Sequence, residues 1–232
     1  MMTRNELLAL IDADAGLTSL LNLAASTLDD DPGHNLDHAL RVALWTVRIG
    51  GDEVNPSEAV AAALLHDLVN LPKDSPERHL ASTRSAEAAR PHLEAAGFNT
   101  AARSRIEGAI RDHSFSRGAV PQDALGSALQ DADRLEALGA IGAFRNISTG
   151  TLMGSQYFHA ADPWAQAREL DDKAYSLDHF FVKLLRLPTT MRTSAGRAEA
   201  TRRAQVLIAL IDALAEELGV PLGAHPLVDA LR

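Results

Sequence analysis

His66 and Asp67 close an almost wholly apolar stretch, Val60 to Leu65. An imidazole and a carboxylate brought to the end of a buried helix cost several kcal/mol unless they are paired or hold a metal. For this dipeptide by itself, a capping Asp beside a packed His is an equally good reading. Two further residues change the balance. His38 shares an apolar stripe with Val42, Trp45 and Ile49, at spacings of four, three and four. Asp133 lies in Ala128-Leu129-Gln130-Asp131-Ala132-Asp133-Arg134-Leu135, an apolar helical run with an acidic centre. Four ionisable groups thus fall on three segments that otherwise read as core. Two imidazoles and two carboxylates suit Mn, Fe, Co, Ni or Zn, and Mg less well, because imidazole is a borderline ligand and Mg prefers oxygen. Four protein ligands on a six-coordinate ion leave positions for water and a substrate oxygen, the mark of a catalytic rather than a structural site.

The elements that must position these groups are helical. Leu7, Leu10, Ile11, Leu17, Leu20 and Leu21 recur at helical spacing over residues 4–27. The run Asp29-Asp30-Asp31-Pro32-Gly33 ends that segment, since Pro and Gly favour turns. A second helix is expected from Leu36 to Ile49. A third starts where Asn55 can cap, Pro56 suits the first helical position, and Glu58 stands three residues after the cap. It is apolar all round, hence buried. Residues 70–80, marked by Pro72 and Pro76, form a loop. Further helices are expected over 82–96, 101–113, 124–138, 140–150, 163–186 and 195–218. No window alternates strictly, so no sheet is expected.

Composition agrees. Hydrophobic residues make up 46% of the 232 residues and aromatics only 4%. That balance favours helices, since strands draw on β-branched and aromatic side chains. The 22 Lys plus Arg against 31 Asp plus Glu leave a formal charge of -9, which argues against stable nucleic-acid binding. A phosphorylated small substrate remains open, because a site sees its local charge and any bound metal. The absence of cysteine excludes disulfides and thiolate chemistry. Met1 to Leu10 is polar and charged, and the apolar runs fall short of the roughly 20 residues of a membrane span. A cytoplasmic location is therefore expected. No internal repeat or linker is visible, so residues 1–232 are expected to form one domain, with a motif core at about 30–150 and C-terminal helices, 151–218, packed on it.

The spacing of His38, His66-Asp67 and Asp133 resembles the H…HD…D signature of the HD-domain metal-dependent phosphohydrolases. The longer motifs strengthen it: His34-Asn35-Leu36-Asp37-His38-Ala39-Leu40-Arg41-Val42, Ala63-Leu64-Leu65-His66-Asp67, and Gln130-Asp131-Ala132-Asp133-Arg134-Leu135-Glu136-Ala137-Leu138-Gly139-Ala140-Ile141-Gly142. Within that superfamily the chain is most similar to a small bacterial YedJ/YpgQ-like branch. The similarity takes in Lys73, Ile110-Arg111-Asp112-His113-Ser114-Phe115 and Phe181-Val182-Lys183-Leu184-Leu185, and runs from about residue 30 to 218. The resemblance implies an all-α helical bundle with a mononuclear metal site in its core, one divalent ion per chain, Mn first. It also implies cleavage of nucleoside triphosphates, deoxy forms included, to monophosphate and pyrophosphate. A nucleotidase or phosphodiesterase using the same site is the alternative activity, and a non-catalytic nucleotide sensor the alternative class. A homodimer is an open option.

Fixed cations should matter to a polyphosphate transition state, whose negative charge is spread over several oxygens. Lys73, six residues past Asp67 in a loop, is the first choice both to bind substrate and to assist catalysis, beside Asp67 as ligand and water-orienting group. Arg78 is a second candidate and Arg84 a neighbour. His179, Lys183 and Arg186, at i, i+4 and i+7, would make one basic helical stripe, with Lys183 as the phosphate contact. For each cation the plain alternative is a solvated surface charge. His34 and Asp37 flank His38 and could hold it in the right tautomer, loop capping being the alternative. His113 is expected to contact substrate, a second metal being the less favoured role.

Overall fold

Asp14 breaks the first apolar stripe into two helices. Its carboxylate accepts the N–H groups of Gly16 and Leu17, at 2.8 and 3.1 Å, which a continuous helix would direct at the carbonyls four residues back. In the computed structural model the chain therefore forms α1 (Arg4–Asp12) and α2 (Ala15–Thr27), bent by 111°, where one helix over 4–27 is expected. The structure describes residues 1–28, 33–71, 75–114 and 117–232.

α3 (Leu36–Gly50) starts on Asn35, whose side chain accepts the backbone N–H of His38 at 3.0 Å. α4 (Pro56–Leu65) starts on Asn55, which caps Ser57 and Glu58. Glu58 does not reach back to its cap. It takes the guanidinium of Arg105 in a two-pronged pair at 2.9 and 2.6 Å instead. Arg105 lies on α6 (Thr100–Asp112), which packs with α5 (Ala81–Ala95). Every residue from Ala59 to Leu65 is fully buried. An apolar surface on all sides has to be covered on all sides, so α4 is surrounded by α1, α2, α3, α5 and α6. Burying each of Val60, Leu64 and Leu65 contributes about 1.5–3 kcal/mol. These helices and most of α7 (Ala124–Leu135) make up a first compact unit, Met1–Asp133.

The second unit, Arg134–Arg232, holds α8 (Gly139–Leu152), α9 (Ser176–Val182), a 3-10 stretch (Leu184–Thr190), α10 (Ser194–Leu218) and α11 (Pro226–Asp229). α10 is capped by Thr193 and stopped by Gly219 in the left-handed region, φ 66°. The helix expected over 163–186 is replaced for its first half by an irregular segment. Asp162 accepts the N–H groups of Gln166 and Ala167, both at 2.9 Å, and Ala165 has φ 50°. The fully buried Asp178 holds Arg168 and the N–H of Asp171. Side-chain acceptors here compete successfully with the helical ladder. The fold is all-α: no strand occurs among the described residues, and one isolated bridge joins Gln156 and Tyr175. No single described helix is long and apolar enough to cross a membrane.

Candidate metal centre

Two helix ends in the first unit use the same local device. His66 is the C-cap of α4, and its Nδ1 lies 2.7 Å from the carbonyl of Ala63. His113 is the C-cap of α6, and its Nδ1 lies 2.6 Å from the carbonyl of Ile110. A carbonyl can only accept, so each Nδ1 carries the proton and donates it. This satisfies a last-turn carbonyl that has no helical partner. It also leaves Nε2 of each neutral ring with a free lone pair, the form in which imidazole binds a metal or takes a proton.

The ligand atoms converge. His38 Nε2, on the first turn of α3, lies 3.3 Å from His66 Nε2. Asp67 Oδ2 is 3.4 Å from His66 Nε2 and 3.9 Å from His38 Nε2. Asp133 Oδ1, near the end of α7, is 3.5 Å from His38 Nε2 and 4.0 Å from His66 Nε2. Among the described residues, His38, His66 and Asp67 present ligand atoms all within 4.8 Å of one another. Metal–ligand bonds of about 2.0–2.2 Å separate neighbouring ligand atoms on one ion by about 3 Å and opposite ones by about 4 Å. The observed separations fall in that range, and the donor set is the one borderline divalent ions take. His38, His66 and Asp67 form a group that fits a divalent ion, and Asp133 lies against both of its imidazole nitrogens.

Electrostatics points the same way. Burial pushes the Asp67 carboxyl up, but the imidazoles of His66, His113, His38 and His34 outweigh it and hold the group well below the carboxylate range. The Asp133 carboxyl is likewise lowered: burial raises it, His66, His38 and His113 lower it further, and Asp67 partly opposes them. Burial pushes the His113 imidazole down, with His66 adding to the effect. Charged carboxylates are the protonation state a metal requires.

His113 is drawn into the centre. Its ring meets that of His66 edge-on at 4.9 Å between centroids, and its Nε2 lies 3.7 Å from Asp67 Oδ1. Each Asp67 oxygen thus faces a different partner. The His34 ring stands 6.1 Å from that of His38. With Asp67, Thr27, Val69 and Asn70 it lines a cavity of about 260 Å³. Asp37 turns outward and pairs with Arg4 on α1 at 2.9 Å, tying two helices rather than supporting His38. Arg78 donates to the carbonyl of Leu71 and to Asn70 Oδ1, stapling the loop after Asp67. Arg84 pairs with Glu77 at 2.8 Å. Lys73 lies outside the described residues.

The stripe of His179, Lys183 and Arg186 does not form, because α9 ends at Val182 and the chain continues as a 3-10 stretch. Within the second unit, His179 pairs with Asp172 at 2.8 Å and Arg186 donates to the carbonyl of Phe181 at 3.0 Å. Lys183 is the half-buried C-cap of α9.

One contributor is invisible in the one-dimensional pattern. Gln130 is fully buried, and its Nε2 donates to the carbonyls of Asp112, at 2.8 Å, and Ala119, at 3.1 Å. A single amide thereby ties both ends of the loop that starts at His113. Its only signal was a glutamine inside an apolar run.

Residues 35–138, which span all four candidate ligands, match the HD domain family. The uncharacterised protein YpgQ of Bacillus subtilis is 29% identical over 195 residues, covering 82% of this chain and 87% of YpgQ. The structure of Bacillus subtilis YpgQ in complex with ADP is similar, with a TM-score of 0.65 and 26% identity over 87% of this chain and 96% of that one. An HD-superfamily hydrolase from Bacillus thuringiensis has a TM-score of 0.67 and 25% identity, covering 94% of this chain and all of its own. The candidate ligands thus lie in the segment that matches the HD domain family, and the chain as a whole is similar in sequence and fold to HD-superfamily hydrolases.

Proposed function

We propose that this protein hydrolyses nucleoside triphosphates, deoxy forms included, to the monophosphate and pyrophosphate, using one divalent ion, Mn first, held by His38, His66, Asp67 and Asp133. The observation that carries the reading is the approach of Asp67 and of Asp133 to the paired Nε2 atoms of His38 and His66, each contact within 4.0 Å, beside a polar cavity that His34 and Asp67 share. The ADP bound by the related YpgQ supports a nucleotide ligand.

A bound divalent ion would supply polarisation of a phosphoryl oxygen and a lowered pKa for water. The protein's own groups account for the rest. Asp67 Oδ2 faces the imidazole nitrogens, and its second oxygen is directed toward His113. That oxygen can accept a hydrogen bond from the attacking water and orient it, while the bare Nε2 of His113 contacts substrate or accepts a proton. The water oxygen bonds to the α-phosphorus, the bridging Pα–O bond breaks, and its electron pair leaves with pyrophosphate. Lys73 is the cation assigned to the growing charge of that leaving group. His34 is assigned to the substrate side of the cavity.

The test is a nucleotide panel with added Mn or Mg and chromatographic identification of the first products. Monophosphate and pyrophosphate are expected. Inorganic phosphate with nucleoside would support the nucleotidase alternative, and tight nucleotide binding without turnover under either metal would support a sensor.

A further inference from the structure

We infer that the first turn of α5 is a brace that sets Asp67 against His113, with Ser85 and Arg117 as positioning residues, given the roles proposed above for Asp67 and His113. Both of those groups stand at or just past a helix end, where the hydrogen-bonding ladder no longer fixes the backbone. Beyond Asp67 the ladder gives out: the Leu68 N–H reaches the Leu65 carbonyl only at 3.4 Å. The next firm tie comes from Ser85, which is fully buried on α5. Its hydroxyl accepts the N–H of Val69 at 3.0 Å and donates to the carbonyl of the same residue at 3.4 Å. One side chain thereby holds both backbone groups of a residue just beyond Asp67.

The end of α6 is fixed by side chains as well. The carbonyls of Ile110, Arg111 and Asp112 accept from His113 Nδ1, from Arg117 and from Gln130. Arg117 does more than cap. The nitrogen that donates to the Arg111 carbonyl at 2.9 Å also donates to Thr83 Oγ1 at 3.1 Å and stands 3.6 Å from the Asp112 carboxylate. Thr83 and Ser85 share the first turn of α5. The segment that follows Asp67 and the segment that follows His113 are therefore fastened to one turn of one helix. The side chains at the heads of those segments meet at 3.7 Å, His113 Nε2 to Asp67 Oδ1.

That approach is what a water oriented by Asp67 and a base at His113 both require. A displacement of about 1 Å at a reacting centre costs on the order of 100-fold in rate. A helical turn has a fixed rise of about 1.5 Å per residue, so it sets the spacing of two loops more firmly than either loop could. The same turn carries its own comparison. Ser82 is 3% exposed, yet its hydroxyl has no hydrogen-bond partner among the described residues and holds neither loop.

The test compares Ser85→Ala, Arg117→Met and Ser82→Ala in the full chain. Ser85→Ala loosens the backbone beside a metal-binding carboxylate, so calorimetry should show a roughly 10- to 100-fold rise in the Kd for Mn, the usual effect of losing a group that orients a ligand. Arg117→Met acts through His113, outside the four residues assigned to the ion. It should leave the Mn affinity unchanged and lower kcat by roughly 10- to 100-fold at constant KM. Ser82→Ala should match the wild type in each respect, with a denaturation midpoint equal or higher, because a buried hydroxyl without a partner costs stability. If Ser85→Ala does not fold, Ser85→Cys keeps the shape with a weak donor and serves in its place. Hydrogen exchange of the metal-free proteins reads the brace directly: exchange should quicken over residues 68–71 in Ser85→Ala and over 117–120 in Arg117→Met. A wild type that binds no Mn or cleaves no triphosphate would refute the proposed function, and the exchange comparison would still decide the brace. Four results overturn it: wild-type Mn affinity in the Ser85 variant, a raised KM at constant kcat in Arg117→Met, equal losses in Ser82→Ala, or unchanged exchange in both segments.

Discussion

Replacing Asp67 by Asn keeps the outline of the side chain and removes its charge. One Asp67 oxygen lies 3.4 Å from His66 Nε2 and 3.9 Å from His38 Nε2, so an ion shared by these nitrogens lies against a full carboxylate. Two unit charges about 4 Å apart interact by about 4 kcal/mol at an effective dielectric constant near 20. A second route gives a similar figure. Four-ligand structural zinc sites release about 10–16 kcal/mol, hence about 2.5–4 kcal/mol per ligand. The amide oxygen retains a weak dipole, so a loss of about 2–4 kcal/mol is expected, a roughly 30- to 1000-fold rise in Kd. Calorimetric titration of Mn into chelator-stripped wild type and variant measures the ratio, and elemental analysis of the proteins as purified gives occupancy. Turnover of the nucleotide panel should fall to background at the Mn concentration that saturates the wild type. Helical content should be unchanged, because Asp67 lies past the end of α4. Wild-type occupancy and affinity in the Asn variant would refute the ligand assignment.

Gln130→Leu removes the donor shared by the Asp112 and Ala119 carbonyls and should cost about 1–3 kcal/mol of stability. A lower denaturation midpoint should accompany a fall in turnover larger than any fall in Mn affinity, since the loop it ties begins at His113. A midpoint equal to the wild type would show the clamp to be idle. Lys73→Ala should lower triphosphate turnover by roughly 10- to 1000-fold, about 1.4–4 kcal/mol of transition-state stabilisation, and affect a monophosphate much less. An equal effect on both substrates would remove Lys73 from the leaving-group role. We further propose that the whole chain unfolds as one domain, because α7 runs without a break across the division at Asp133 and Arg134. Circular dichroism and tryptophan fluorescence should give one coincident transition, and two separated transitions would contradict it.

Much of the centre was legible because its causes are local. An unbroken apolar run can only be a buried helix, and α4 is one, fully buried from Ala59 to Leu65. Asn55 is a cap because a short side-chain acceptor beside an apolar run has one evident use, and it caps α4 as expected; Asn35 plays the same part at the start of α3. Two histidines and two aspartates on such helices already implied a cation, since burying them otherwise is costly.

The tertiary structure decided what several alternatives at equal local cost left open. Asp14, Asp162 and Asp178 could each have sat on a helix face. Packing made them acceptors that break or replace helices, which is why 4–27 became two helices and 163–175 none. Asp37 and Arg78 were near enough in sequence to serve the metal site, yet their side chains found Arg4 and the Leu71 carbonyl. The approach of His113 to Asp67 and the hold of Gln130 on its loop join residues 46 and 18 positions apart. Periodicity and capping operate over one helical turn, so they determine which segments are helices and which faces are buried. Which charged or polar group meets which across the core depends on how those helices pack, and sequence spacing carries no information about that distance.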